Sequence, residues 1–291
     1  MGGWDFSIFW LAGQAILHGQ SPYSVENFFS PLLFAYGFVP LALLPQQVAF
    51  FLWLFINLVI LIVCLRRPFW KWLLYLPMIH LFSSGQVELL WWAMERAINR
   101  GWRGAILGAL MTLKPQAAVI LLSWHLLDWL RNDRRTLVRW LVLTVLLWGI
   151  PTLLSPSWLG DWRANLPTST WQESAGNAPG IFSLLRLAPG IWPILLVIAA
   201  AIFIWGQFQS KPIARAAAML ASPVGLFYST LALVDTAPAW LLVPASIIAT
   251  ILSMLTNTFI GFAALPVIVI IWHRYHPQPE LPKKIEVTAA A

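Results

Sequence analysis

The chain has 291 residues, of which 59% are hydrophobic and only 10% charged, with 19 Trp, 17 Phe and a net charge of +7. A soluble domain carries about 25% charged residues, so this composition excludes a soluble globular protein. The basic residues sit in short clusters between apolar runs, which makes the positive charge a membrane-topology signal and leaves no nucleic-acid partner expected.

Asp5 to Gly19 is too short and mixed to cross a bilayer and reads as an interfacial helix with Phe6, Phe9, Trp10 and Ala12 among its apolar positions. Gly19-Gln20-Ser21-Pro22-Tyr23 is a turn. Residues 31–44 are apolar but interrupted by Pro31, Gly37 and Pro40, and fall short of a roughly 30 Å hydrocarbon core, so they are expected to lie in the membrane or re-enter it. Residues 46–65 form the first convincing span, ending at Arg66-Arg67. Two short arms, 72–82 and 87–98, meet at Ser83-Ser84-Gly85-Gln86, and two more, 104–113 and 116–130, meet at Lys114-Pro115. A span over 137–154 precedes the polar stretch 155–180, read as a large loop carrying Asp161, Arg163, Asn165, Glu173 and Asn177. Further spans are expected at 191–208, 214–233 and 239–254, with 257–272 as a possible last one. The organisation is a single all-α transmembrane domain, 1–272, a helical bundle of roughly nine to ten membrane segments plus membrane-lying helices. It includes an outer-face juxtamembrane segment over 1–45 and is followed by a polar tail, 273–291.

Twelve of the eighteen Lys and Arg fall on one face under this scheme: Arg66, Arg67 and Lys71; Arg96, Arg100 and Arg103; Arg131, Arg134, Arg135 and Arg139; Lys211 and Arg215. That face is cytoplasmic by the positive-inside rule. The outer face then carries Asp5, Glu26, Glu88, Asp161, Glu173 and Asp235 together with Lys114, Arg163 and Arg186.

Lys114 is the most informative single residue. A basic side chain at membrane depth is costly and marks a functional candidate, and an ammonium at an outer-leaflet turn suits a lipid phosphate; the plain alternative is a lysine that snorkels to the interface. Gln86 and Glu88 are expected to face the same outer cavity, or else to be hydrogen-bonded turn residues. Asp5 is a carboxylate that can act as a general base above such a cavity, or a helix cap or solvated acid. Ser222-Pro223 reads as a helix kink. The single Cys64 excludes an intramolecular disulfide, and the five histidines show no ligand spacing, so no metal and no cofactor are assigned.

The order of Trp4-Asp5-Phe6, Gly19-Gln20-Ser21-Pro22-Tyr23, Pro31-Leu32-Leu33, Gly85-Gln86-Val87, Leu113-Lys114-Pro115-Gln116 and Ser222-Pro223-Val224 resembles the GT-C superfamily. More narrowly it is similar to glycosyltransferase family 87, the polyprenol-phosphate-mannose-dependent α-mannosyltransferases, over roughly residues 4–245. The resemblance implies an integral membrane enzyme of the bacterial plasma membrane whose active site faces outward. It would move a sugar, mannose by analogy, from a polyprenyl-phosphate-sugar donor to a glycolipid or polysaccharide acceptor with inversion. It implies Asp5 as catalytic base, Lys114 at the donor phosphate, and Tyr23, Gln86, Glu88, Gln116 and Ser222 around the substrate cavity. Two departures stand out. The family places a transmembrane helix before the aspartate, so this first helix is expected to be missing here. A histidine often follows the Ser-Pro motif in relatives, whereas this chain has none in Ser222-Pro223-Val224-Gly225-Leu226-Phe227-Tyr228. The competing readings are a lipid or solute transporter or flippase, and a truncated non-catalytic relative.

Overall fold

The computed structural model describes residues 3–65, 69–166, 175–225 and 227–276; Arg66, Arg67, Glu173 and the tail from 277 onward lie outside the described residues. Every regular element among the described residues is helical, as the composition requires.

The N-terminal part is a pair of short aromatic helices, α1 (Trp4–Leu17) and α2 (Leu32–Ala42). Gly13 permits their close approach, since a Cβ there would lie 2.9 Å from Ala42 Cβ. The interface is a ring cluster in which Phe9 meets both Phe34 and Phe38 at 5.1 Å. The indole N–H of Trp10 donates to the Leu44 carbonyl at 3.1 Å and the Gln14 amide donates to that of Ala42, which satisfies carbonyls at the end of α2.

α3 (Gln46–Leu65) follows, and its buried residues are Ala49, Trp53, Asn57 and Leu61, one stripe at a spacing of four. Its other faces are Phe51, Phe55 and Val63, all more than 60% exposed. A water-exposed helix places polar groups there. Apolar side chains on the outside of a helix whose backbone bonds are all internal are what a lipid environment demands. Among the described residues, four segments are long and apolar enough to cross a membrane in this way: Gln46–Leu65, Arg134–Leu154, Pro189–Gln207 and Ala239–Thr256.

Between α3 and the second of these lie the two expected hairpins. α4 (Leu76–Ser84) and α5 (Glu88–Ala97) meet at Gly85-Gln86-Val87, and α6 (Trp102–Met111) and α7 (Pro115–Asn132) meet at Thr112-Leu113-Lys114. Ten residues of helix reach only about 15 Å, so α4, α5 and α6 each stop within a bilayer's thickness. The Trp91 indole donates to the Met111 carbonyl at 2.8 Å and locks the hairpins together. α8 (Arg134–Leu154) starts at Asp133, whose carboxylate accepts from the Thr136 amide at 3.1 Å. α9 (Trp158–Asn165) occupies part of the stretch read as loop; Trp148, Trp158 and Trp162 stack about 6 Å apart and fold it back. Its Trp162 and Asn165 donate to the carbonyls of Phe29 and Phe28 at 2.8 and 2.7 Å, tying this segment to the start of the chain.

α10 (Trp192–Gln207) and α11 (Lys211–Ala221) form the second half with α12 (Ala239–Thr256) and α13 (Ala264–Tyr275). α11 is the centre of the bundle. Every residue from Ile213 to Ala221 is buried, and its alanines let neighbours approach closely. A Cβ on Gly206 of α10 would lie 2.3 Å from that of Ala217.

The single span expected over 214–233 is corrected here. Ser222 has extended backbone (φ −75°, ψ 126°) and ends α11, and the chain resumes as a 3-10 turn over Phe227–Leu233. Pro223 is the reason: the residue before a proline is driven out of the α region. Ser222-Pro223 is a helix stop, not a kink. Asp235 is the second correction. It pairs with Arg96 and lies 3.6 Å from Arg215, which puts it with the basic clusters and not on the outer acidic face.

Candidate active site

The site grows from the two breaks. Gly85 ends α4 in the left-handed conformation (φ +76°), and a Cβ on it would lie 2.5 Å from Phe6 Cβ. Glycine is required twice over, for the backbone angle and for the seat of α1. The Gly3 amide donates to the Ser83 carbonyl at 2.7 Å, and the buried Trp53 indole donates to the Gly85 carbonyl at 3.0 Å. The first turn of α1, with Asp5 on it, is therefore pinned to the 83–85 break.

Glu88 is the first residue of α5, where the helix N-terminus favours a carboxylate. Lys114 precedes Pro115, which holds it in extended backbone (φ −129°, ψ 81°) at the head of α7. The two side chains form an ion pair, both more than 90% buried. The ammonium also lies over the Tyr228 ring, 5.6 Å from its centroid. Lys114 does not snorkel. A buried ion pair is held only where geometry compensates desolvation, and here compensation is incomplete. Glu88 Oε2 and Gln86 Oε1 are buried and accept no hydrogen bond from the described residues. Buried polar atoms are nearly always satisfied in native proteins, so these two call for a ligand or solvent partner.

A cavity of about 500 Å³ opens beside the pair. Glu88, Lys114 and Gln116 line one side, Phe29 to Pro31 and Trp162 form the rim, and Val224, Gly225 and Tyr228 close the far wall. Ser222 acts on that wall indirectly, since its hydroxyl donates to the Val224 carbonyl at 2.7 Å. Gln86 is 2% exposed and faces the Tyr228 hydroxyl from behind. Tyr23 does not line the cavity. It packs on Phe28 at 5.8 Å, and burial, reinforced by Asp161, pushes its phenol above the ordinary range.

Asp5 does not line the cavity either. It is half-buried on the first turn of α1. His80 stacks parallel to Tyr228 at 5.7 Å and meets Phe227 at 4.6 Å, forming a wall between α4 and the turn over 227–233. The sequence-derived residues thus divide into three that line the cavity (Glu88, Lys114, Gln116) and four that do not (Asp5, Tyr23, Gln86, Ser222). His80, Trp162 and Tyr228 escaped the sequence reading. Nothing in local spacing marks them, because α4, α9 and the turn after Gly225 meet only in the folded bundle.

The model of glycosyltransferase family 87 matches residues 28–234, more than half of the chain. The matched stretch contains Gln86, Glu88, Lys114, Gln116 and Ser222, and leaves Asp5 and Tyr23 outside it. No curated protein and no solved structure matches the chain.

Proposed function

This chain belongs to glycosyltransferase family 87, and on that premise we propose that it transfers mannose from a polyprenyl monophosphate to a glycolipid or polysaccharide acceptor at the outer face of the plasma membrane, with inversion. The observation that carries this reading is the Lys114–Glu88 pair at the edge of a 500 Å³ cavity, with one carboxylate oxygen unsatisfied. An ammonium carries three donors, and Glu88 takes one. A lipid phosphate in the cavity can occupy another without displacing Glu88.

In the reaction the acceptor oxygen bonds to the anomeric carbon as the bond from that carbon to the phosphate oxygen breaks. The electron pair leaves with the phosphate, yielding polyprenyl phosphate, and the acceptor proton passes to a carboxylate, which the family resemblance makes Asp5, a residue that stands outside the cavity lining in this structure. Lys114 stabilises the charge that grows on the departing phosphate. Glu88 orients the polar groups of the sugar. The basic clusters face the cytoplasm and the two breaks face outward, so donor and acceptor meet on the outer side.

The test uses the full chain in lipid nanodiscs with a short-chain polyprenyl-phosphate-mannose. Transfer to a mannoside acceptor, with the new linkage α by NMR, is expected. Asp5→Asn should lower kcat by about 10²–10⁴-fold with thermal stability unchanged. Equal turnover by Asp5→Asn removes Asp5 from the base role, and absence of transfer with every polyprenyl-phosphate sugar tried removes the function.

A further inference from the structure

A second cavity, about 350 Å³, is lined in part by Phe227, the residue next to Tyr228 of the first. Its apolar surface is three phenyl rings. Phe227 lies nearly parallel to Phe259 (5.9 Å, 11°) and 5.3 Å from Phe262. Its polar surface is Asn177, Arg186, Thr250, Ser253, Asn257 and Thr258. The Ser253 hydroxyl is nine-tenths buried and has no hydrogen-bond partner among the described residues. Arg186 donates to Asn177 at 2.5 Å, which uses one of five guanidinium N–H groups. Among the described residues no carboxylate lines the cavity. Ring faces with a few convergent hydroxyl and amide groups suit a pyranoside, whose C–H face is apolar and whose edge is all hydroxyls.

The position of this cavity gives it a role. Phe227 lines it while the adjacent Tyr228 lines the first cavity. His80 touches both rings. The two cavities therefore meet at residues 227–228. The mouth of the second lies at the end of α12, a candidate span. Met254, which lines the mouth, and the adjacent Leu255 are each 78% exposed on its lipid-facing side.

We propose that the second cavity binds the sugar headgroup of a membrane-anchored acceptor, its lipid tail leaving past Met254. This rests on the glycosyltransferase reading and narrows it, favouring a glycolipid over a free polysaccharide. The three rings hold the pyranoside, and Ser253, Asn257 and Arg186 take its hydroxyls.

The test is photolabelling, which needs no turnover. The full chain in nanodiscs is irradiated with dodecyl α-mannoside carrying a diazirine on the sugar, and labelled residues are mapped by mass spectrometry. Label is expected within 250–262 and at Phe227, competed by unlabelled dodecyl α-mannoside. Methyl α-mannoside should compete at least about tenfold less well, since its tail is gone. Met254→Trp changes an exposed residue and so should leave the fold intact while lowering the label about fivefold or more. Asn257→Ala should lower it as well, and Lys114→Gln should not. Label confined to the Lys114 cavity, or uncompeted label spread over lipid-facing helices, overturns the proposal. Competed label in the second cavity from a protein that transfers no sugar keeps the sugar site and removes the transferase reading instead.

Discussion

Two buried carboxylates lie two turns apart on the same face of α5, and the bundle treats them in opposite ways. Glu95 is fully buried and saturated. His125 Nε2 lies 3.0 Å and Lys211 Nζ 2.5 Å from one oxygen, and Arg215 lies 2.5 Å from the other. Arg215 also donates to the Ala232 carbonyl at 2.9 Å, and Arg96 pairs with Asp235 at the edge of the same cluster. Glu88 has one partner, Lys114, and a free oxygen beside an open cavity. A satisfied polar network specifies architecture. A half-satisfied one at a cavity has capacity left for something else. The first cluster joins α5, α7, α11 and the Asp235 turn; the second is where we place the chemistry.

This contrast breaks if the two ends respond alike to mutation. The largest stability effect is expected from Arg215→Met, which leaves Glu95 short of its strongest partner and should cost about 3–5 kcal/mol, read by tryptophan-fluorescence unfolding in detergent. Glu88→Gln should cost no more than about 1–2 kcal/mol, because Lys114 can turn to the cavity. Equal losses in the two variants would erase the distinction. Next in size, Lys114→Gln should reduce single-turnover sugar transfer by about 10²–10³-fold in the protein that remains folded. A variant that unfolds but transfers normally while folded would make Lys114 part of the architecture.

Gly85→Ala sharpens the link between the break and α1. The left-handed backbone and the approach of Phe6 should together make it destabilising by about 1–3 kcal/mol. Because α1 carries Asp5, kcat should fall further than donor binding at Lys114 does. The smallest effect is expected at Asp133. Hydrogen bonds from Thr136 hold its carboxyl below the ordinary range. Its contribution is thus whole above the unfolded-state pKa and is lost as pH falls through the lower folded-state value. Asp133→Ala should cost about 1 kcal/mol at neutral pH and flatten the acid limb of the stability profile.

Several features were legible from residue order because they are local. Pro and Gly positions mark the breaks at Gly85 and Lys114-Pro115, and both occur where the apolar runs are interrupted. The span 46–65 is read to the residue, since a twenty-residue, predominantly apolar run between a proline and two arginines admits little else. The stretch 214–233 misled because its hydropathy is continuous across Ser222-Pro223, and hydropathy does not register a backbone angle. Asp235 misled because a charge-counting topology assigns acids to the face left over, while a buried arginine draws its counter-ion wherever the fold brings it.

By itself the amino-acid order determined the medium, the helical class and the two polar breaks, because hydrophobic composition and backbone preference act within a few residues of one another. Only the tertiary structure decided which breaks converge. The Lys114–Glu88 pair, the His80–Tyr228 wall and the second cavity at Ser253 all join segments distant in sequence. Whether a buried polar atom is satisfied, and so whether a charge serves the fold or faces a cavity, depends on neighbours that come together only when the bundle closes.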